Sequence, residues 1–121
     1  MSKRFIYVCS PLRGDYEKNM ENAETYCRLI MHHVTDAVPL APHIYFPRFL
    51  DDTDAVEREL GISAGLSLLD KCDELWVFGI YNPSEGMKRE IEHAKERGIP
   101  VRDGFDALQC AIFQFTQGGT T

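Results

Sequence analysis

The chain has 121 residues, enough for one hydrophobic core and too few for two. Apolar residues make up 44% and charged residues 26%, the proportions of an ordinary water-soluble globular protein. The net charge of −6 argues against general binding to nucleic acid polymers, which needs a positive face to displace counterions, yet leaves room for a local basic pocket around one phosphate.

No stretch approaches the roughly 18 apolar residues of a membrane-crossing helix, so no membrane partner is expected. The start, MSKRFIYVCS, turns polar too soon for a signal peptide, and a cytoplasmic location follows as the expectation. Cys9, Cys27, Cys72 and Cys110 are irregularly spaced, form no CxxC pair and sit among apolar neighbours. They read as reduced core residues. No cluster of residues has metal-ligand spacing, and no cofactor is called for.

Residues 4–9, RFIYVC, suit a buried strand. From Glu17 to Val34 the residues Met20, Ala23, Cys27, Ile30, Met31 and Val34 recur at helical spacing, which predicts an amphipathic helix. AVPLAP at 37–42 predicts a short strand closed by Pro42, followed by an aromatic and acidic connection, HIYFPRFLDD. Asp54 with Glu57 three residues on forms a capping-box pattern for a helix over about 55–71.

ELWVFGI at 74–80 is the most apolar run and predicts a central strand. NPS then turns the chain into a helix over 84–97 that Gly98 ends. IPV at 99–101 predicts a last short strand. FDALQCAIFQF at 105–115 fits a helix or an apolar strand, and TQGGTT predicts a loose tail.

Strands alternating with helices predict a single-domain, doubly wound α/β fold of the flavodoxin or Rossmann-like kind: a mostly parallel sheet with helices on both faces. Such sheets bind ligands at the carboxyl ends of strands where the strand order reverses. Two loops are therefore singled out, SPLRGD after the first strand and YNPSEG after the central one. Each leads into a helix whose free N–H groups favour an anion. Arg13 offers a bidentate grip on phosphate, and Gly14 lets the backbone come close. Ser10 and Ser84 offer hydroxyls, and Gly86 leaves room. Composition alone also allows Ser10 and Ser84 to be plain helix caps and Arg13 a solvated side chain.

Glu90 lies at the margin of the stripe Met87, Ile91 and Ala94, with the small residues Gly86 and Ala94 one turn to either side. A carboxylate so placed is open to a ligand and walled by apolar atoms, which raises its pKa. It can attack an anomeric carbon and form a glycosyl ester. The residues alone equally allow an ordinary surface glutamate.

The segments YVCSPLRGD and PSEGMKREIEHAKERGIPV together resemble the nucleoside 2-deoxyribosyltransferase family, and within it most of all the 2′-deoxynucleoside 5′-phosphate N-hydrolase branch. The likeness runs from about residue 4 to 101, and its specific motifs are confined to the two loops. A Gly-containing turn with an arginine follows the family's first strand, and a segment of the form PS-x-G-x-x-x-E-[LI]-x-x-A carries its nucleophile. Here that pattern reads Pro83, Ser84, Gly86, Glu90, Ile91 and Ala94. The resemblance implies Glu90 as nucleophile, Ser10, Arg13, Gly14, Ser84 and Gly86 around a 5′-phosphate, and Tyr7 near the sugar. It also implies a homodimer or higher homo-oligomer in which a neighbour completes the pocket.

One departure is specific. The family carries an aspartate ahead of its central strand that binds the sugar and handles the proton of the departing base; the corresponding place, counted back from Asp73, is Gly65. General-acid help contributes about 10²–10⁴-fold, so its loss slows turnover unless His43, Asp51, Asp52 or Glu57 replaces it.

The stretches APHIYFPRFLDD, ERELGISAGLSLL and CDELWVFG are further similar to an uncharacterised subgroup of the same fold, whose chains end soon after the GIPV strand. The resemblance thus divides the chain into a deoxyribosyltransferase-like domain, 1–102, and an extension, 103–121, that packs on the domain or at an oligomer interface. Gly61 and Gly65, one turn apart, leave a shallow trough where a planar base could lie or helices could pack closely. His43, Tyr45 and Phe46 either stack on a base or pack together.

Two functions follow. In one, the pocket holds a phosphate-bearing nucleotide or an ADP-ribose-like signalling molecule and sequesters it without turnover, as a phage or mobile-element protein would. In the other, Glu90 cleaves or transfers an N-glycosidic bond of a deoxynucleotide. Gly65 in place of the acid tips the sequence reading toward binding.

Overall fold

Four strands form one fully parallel sheet in the computed structural model, which describes residues 2–119, with side chains through residue 114. The elements in chain order are β1 (Arg4–Cys9), α1 (Tyr16–His33), β2 (Ala37–Leu40), α2 (Ala55–Leu69), β3 (Glu74–Val77), α3 (Glu85–Glu96), β4 (Val101–Asp103) and α4 (Gly104–Gly119). Two short 3-10 turns, Pro42–Ile44 and Phe46–Arg48, lie between β2 and α2. The expected α/β architecture is the one observed.

The spatial order is β2-β1-β3-β4. In register, Tyr7 of β1 stands between Leu40 of β2 and Leu75 of β3. Pro39, which cannot donate to a ladder, falls in the edge strand β2, where that loss is tolerated. The chain leaves β1 for β2 on one side and later returns to β3 on the other, so the strand order reverses between β1 and β3. In an open parallel sheet that reversal opens a crevice at the carboxyl ends of the two strands.

Alternation along the strands divides the core into two layers. Ile6, Val8, Trp76 and Phe78 pack with Ile30 of α1 and Leu108 of α4. Tyr7, Cys9, Leu75 and Val77 pack with Leu69 of α2 and Met87 of α3. Both faces of the central strands are therefore covered, as their near-continuous apolar sequences require.

Several boundaries differ from expectation. The central strand ends at Val77, although Phe78 continues its core face. The ambiguous stretch 105–115 is helical within α4, because Ala107, Leu108 and Ala111 form a stripe against the first core layer. That helix runs on through Gly119, where a loose tail is expected from residue 116; the last two residues of that expected tail lie outside the described residues. Among the cysteines Cys9 and Cys72 are buried, but Cys27 is half-buried and Cys110 is exposed, off the apolar stripe of α4. Met31 likewise falls on the open side of α1, with 62% of its surface exposed.

α4 is locked to the sheet by an aromatic group. Phe78 stacks on Tyr26 of α1 with ring centroids 4.1 Å apart and meets Phe105 of α4 edge-on at 5.2 Å. Gly104 makes this possible: a Cβ there would lie 2.7 Å from the Phe78 ring. Gly104→Ala should therefore lower the unfolding free energy by about 1–3 kcal/mol, the usual penalty for overpacking, in urea denaturation followed by circular dichroism. An unchanged midpoint would show that the ring has room to shift.

Candidate functional site

The crevice between β1 and β3 is a cavity of about 380 Å³. Its floor comes from the strand end at Tyr7, one wall from α2 and the 3-10 turns, and the other from the start of α3. Of the site residues expected from sequence, Tyr7, Ser10, Arg13, His43, Gly65, Ser84, Gly86 and Glu90 all line it. The two loops singled out from sequence thus meet on one cavity. Gly14 and Tyr45 do not line it. Gly14 shapes the turn before α1 with a φ of +102°. Tyr45 is exposed and packs edge-on against Phe49 at 5.1 Å, while its neighbours His43 and Phe46 face the cavity.

Glu90 stands at the floor because α3 begins at a fixed point. The Ser84 hydroxyl accepts a hydrogen bond from the Met87 amide at 3.3 Å and caps the helix, and Met87 then buries into the core layer below. One turn further on, Glu90 meets the sheet, and the Tyr7 hydroxyl donates a hydrogen bond to its Oε2. Burial drives the Glu90 carboxyl up to about 7, against the opposing pull of hydrogen bonds from Tyr7 and Cys9. Burial, together with the Glu90 charge, holds the Tyr7 phenol and the Cys9 thiol well above their ordinary values. Both therefore remain protonated donors at neutral pH, and Cys9 is not a thiolate nucleophile.

Gly65 bears directly on this pair. A Cβ at residue 65 would lie 3.3 Å from the Tyr7 hydroxyl oxygen. The missing side chain leaves the space through which the phenol reaches Glu90.

The cavity's other polar groups are already partnered. Ser10, almost fully buried, has its Oγ 2.8 Å from His43 Nε2. Burial lowers the His43 pKa to about 4, so the ring is neutral at pH 7. Arg13 pairs through Nε with Asp52 Oδ2 at 3.1 Å. Asp51 lies outside the cavity and accepts from the Thr53 amide and hydroxyl at 2.9 and 2.6 Å, contacts that lower its pKa. Glu57 reaches back from α2 to the Asp51 amide at 2.7 Å, while Asp54 caps the same helix. Of the four residues considered as a replacement acid, His43, Asp52 and Glu57 line the cavity, and each is engaged with a residue other than Glu90.

Sequence reading missed the arginines. Arg58 and Arg89 both line the cavity. Helical spacing could have found them, since Arg58 shares a face of α2 with Gly61 and Gly65, and Arg89 adjoins Glu90 on α3. Among the described residues no group of three His, Cys, Asp or Glu could hold a metal ion, and no helix is long and apolar enough to cross a membrane.

A carboxyl with a raised pKa adds stability below about pH 4.5, and that contribution is lost as pH rises through about 7. At pH 8 the buried charge should cost on the order of 3 kcal/mol. Glu90→Gln should therefore melt well above the native protein at pH 8, with the gap closing toward pH 5. A gap independent of pH would show that the carboxyl titrates normally.

Residues 4–104 match the family described as a domain of unknown function, DUF7768, and the chain belongs to that family. No curated protein matches it. Among solved structures it is similar to the 2-deoxyribosyltransferase of the psychrotolerant bacterium Bacillus psychrosaccharolyticus. The TM-score is 0.63 over 80% of this chain and 69% of that one, at 14% sequence identity. Likeness at that identity is likeness of fold.

Proposed function

We propose that this protein binds a nucleoside carrying a 5′-phosphate, with the sugar against Glu90, and cleaves its N-glycosidic bond. The observation that carries the reading is the part-buried Tyr7–Glu90 hydrogen bond at the floor of the switch-point cavity. Burying a carboxylate opposes folding, and a ligand pocket that merely needed shape would be better lined with apolar groups. The deoxyribosyltransferase-like fold supports a nucleoside as the ligand class.

Tyr7 holds Oε2, which leaves Oε1 as the attacking oxygen. A bond forms from Oε1 to C1′, and the C1′–N bond breaks with its electron pair leaving on the base. Water then adds at C1′, restores the carboxylate and supplies the proton that the base takes up. The step needs ionised Glu90, so the rate should rise with pH through about 7. The Tyr7 hydrogen bond favours the anion, so Tyr7→Phe should move that rise to higher pH.

The test is incubation with the four common 2′-deoxynucleoside 5′-monophosphates and chromatography of the products. Free base should accumulate, and Glu90→Gln should lower its rate by at least about 10²-fold. A base-release rate unaffected by Glu90→Gln would refute the assignment of the nucleophile.

A second reading, sequestration without turnover, is favoured by one observation. The acid candidates around the cavity are either neutral, as His43 is, or engaged elsewhere. Under that reading a nucleotide or ADP-ribose-like molecule disappears from solution intact and returns on heat denaturation. No base release together with no retained ligand would contradict both readings.

A further inference from the structure

Asp52 occupies an unusual position at the cavity mouth. Its Oδ2 is 3.1 Å from Arg13 Nε and its Oδ1 is 3.8 Å from Arg58 Nε. One carboxylate thus sits between two guanidiniums, one from the loop after β1 and one from the second turn of α2, and all three residues line the cavity. The Tyr16 phenol stands beside the same group, feeling both the Asp52 and the Arg13 charge. Two guanidiniums flank that one carboxylate directly, while Glu57, which also lines the cavity, is bonded to the Asp51 amide.

We propose that Arg13 and Arg58 form the seat for the ligand's 5′-phosphate, and that Asp52 is a built-in stand-in which the phosphate displaces. Asp52 thereby sets how strongly the protein prefers a phosphorylated nucleoside over an unphosphorylated one. This rests on the nucleotide reading above and adds Arg58 and Asp52 to it.

The energetics favour exchange. All three side chains are substantially exposed, between 30% and 59%, and ion pairs in such surroundings are weak. A phosphate monoester carries up to two charges and three acceptor oxygens, and guanidinium grips it bidentately. An Asp52 that stayed in place would repel the same phosphate. Every contact it makes therefore opposes phosphate binding, either by competition or by repulsion.

The experiment is calorimetric titration of Glu90→Gln protein, in which the ligand stays intact, with each 2′-deoxynucleoside 5′-monophosphate and its nucleoside. The readout is the ratio of the two affinities. Asp52→Asn should raise that ratio about tenfold, and Arg58→Gln should lower it by a similar factor. Thermal melts confirm that each variant folds, and Asp52→Ala serves as the second substitution at the seat. A ratio unchanged or lowered by both Asp52 substitutions overturns the stand-in role. If nucleosides bind but monophosphates gain nothing in any variant, the seat fails while the nucleoside cavity survives. If neither binds, the nucleotide reading fails with it.

Discussion

The hydrogen bond from Tyr7 to Glu90 is the contact on which the cavity depends. It joins the end of a central strand to the first turns of α3, across the line where the strand order reverses. A carboxylate in that position loses most of its hydration, and the phenol replaces part of it. A Cβ at residue 65 would crowd the phenol oxygen at 3.3 Å, so any side chain there would push Tyr7 out of its present place. A tyrosine on β1, a glycine on α2 and a glutamate on α3 are thus one structural unit, contributed by three elements that are distant in sequence.

Floor and mouth are built differently. The floor rests on the two core layers, where Met87, Val77, Leu75 and Cys9 are almost entirely buried, so Glu90 has little freedom to move. The mouth is held by exposed ion pairs, with Arg13, Asp52 and Arg58 facing one another. Such pairs are easily exchanged for a ligand's charges. A rigid reactive end and an adaptable anionic end suit a ligand whose sugar must be placed accurately and whose phosphate must enter from water.

Much of this was legible in the sequence. Apolar runs and helical spacing predict the order of strands and helices. The switch-point rule brings SPLRGD and YNPSEG together, and eight of the ten expected site residues line the cavity. Pairing was not legible. That Ser10 meets His43, that Arg13 meets Asp52 and that Tyr7 meets Glu90 each joins separate elements, and no local periodicity encodes such a contact. Aromatics so close together look alike in sequence, and only the 3-10 turns separate them: His43 and Phe46 line the cavity while Tyr45 is exposed outside it. The helix at 104–119 was undecidable because a stretch apolar on most sides fits either period, and only packing against α1 and β3 selects the helix.

The most direct measurement is a carbon-13 NMR titration of the Glu90 side-chain carboxyl in the free protein, assigned by its loss in Glu90→Gln. A buried carboxyl steadied by Tyr7 should titrate near pH 7. Titration near the ordinary value of 4.5 would mean that Glu90 is solvated, and would contradict both the desolvated floor held by Tyr7 and the expected rise of rate through pH 7.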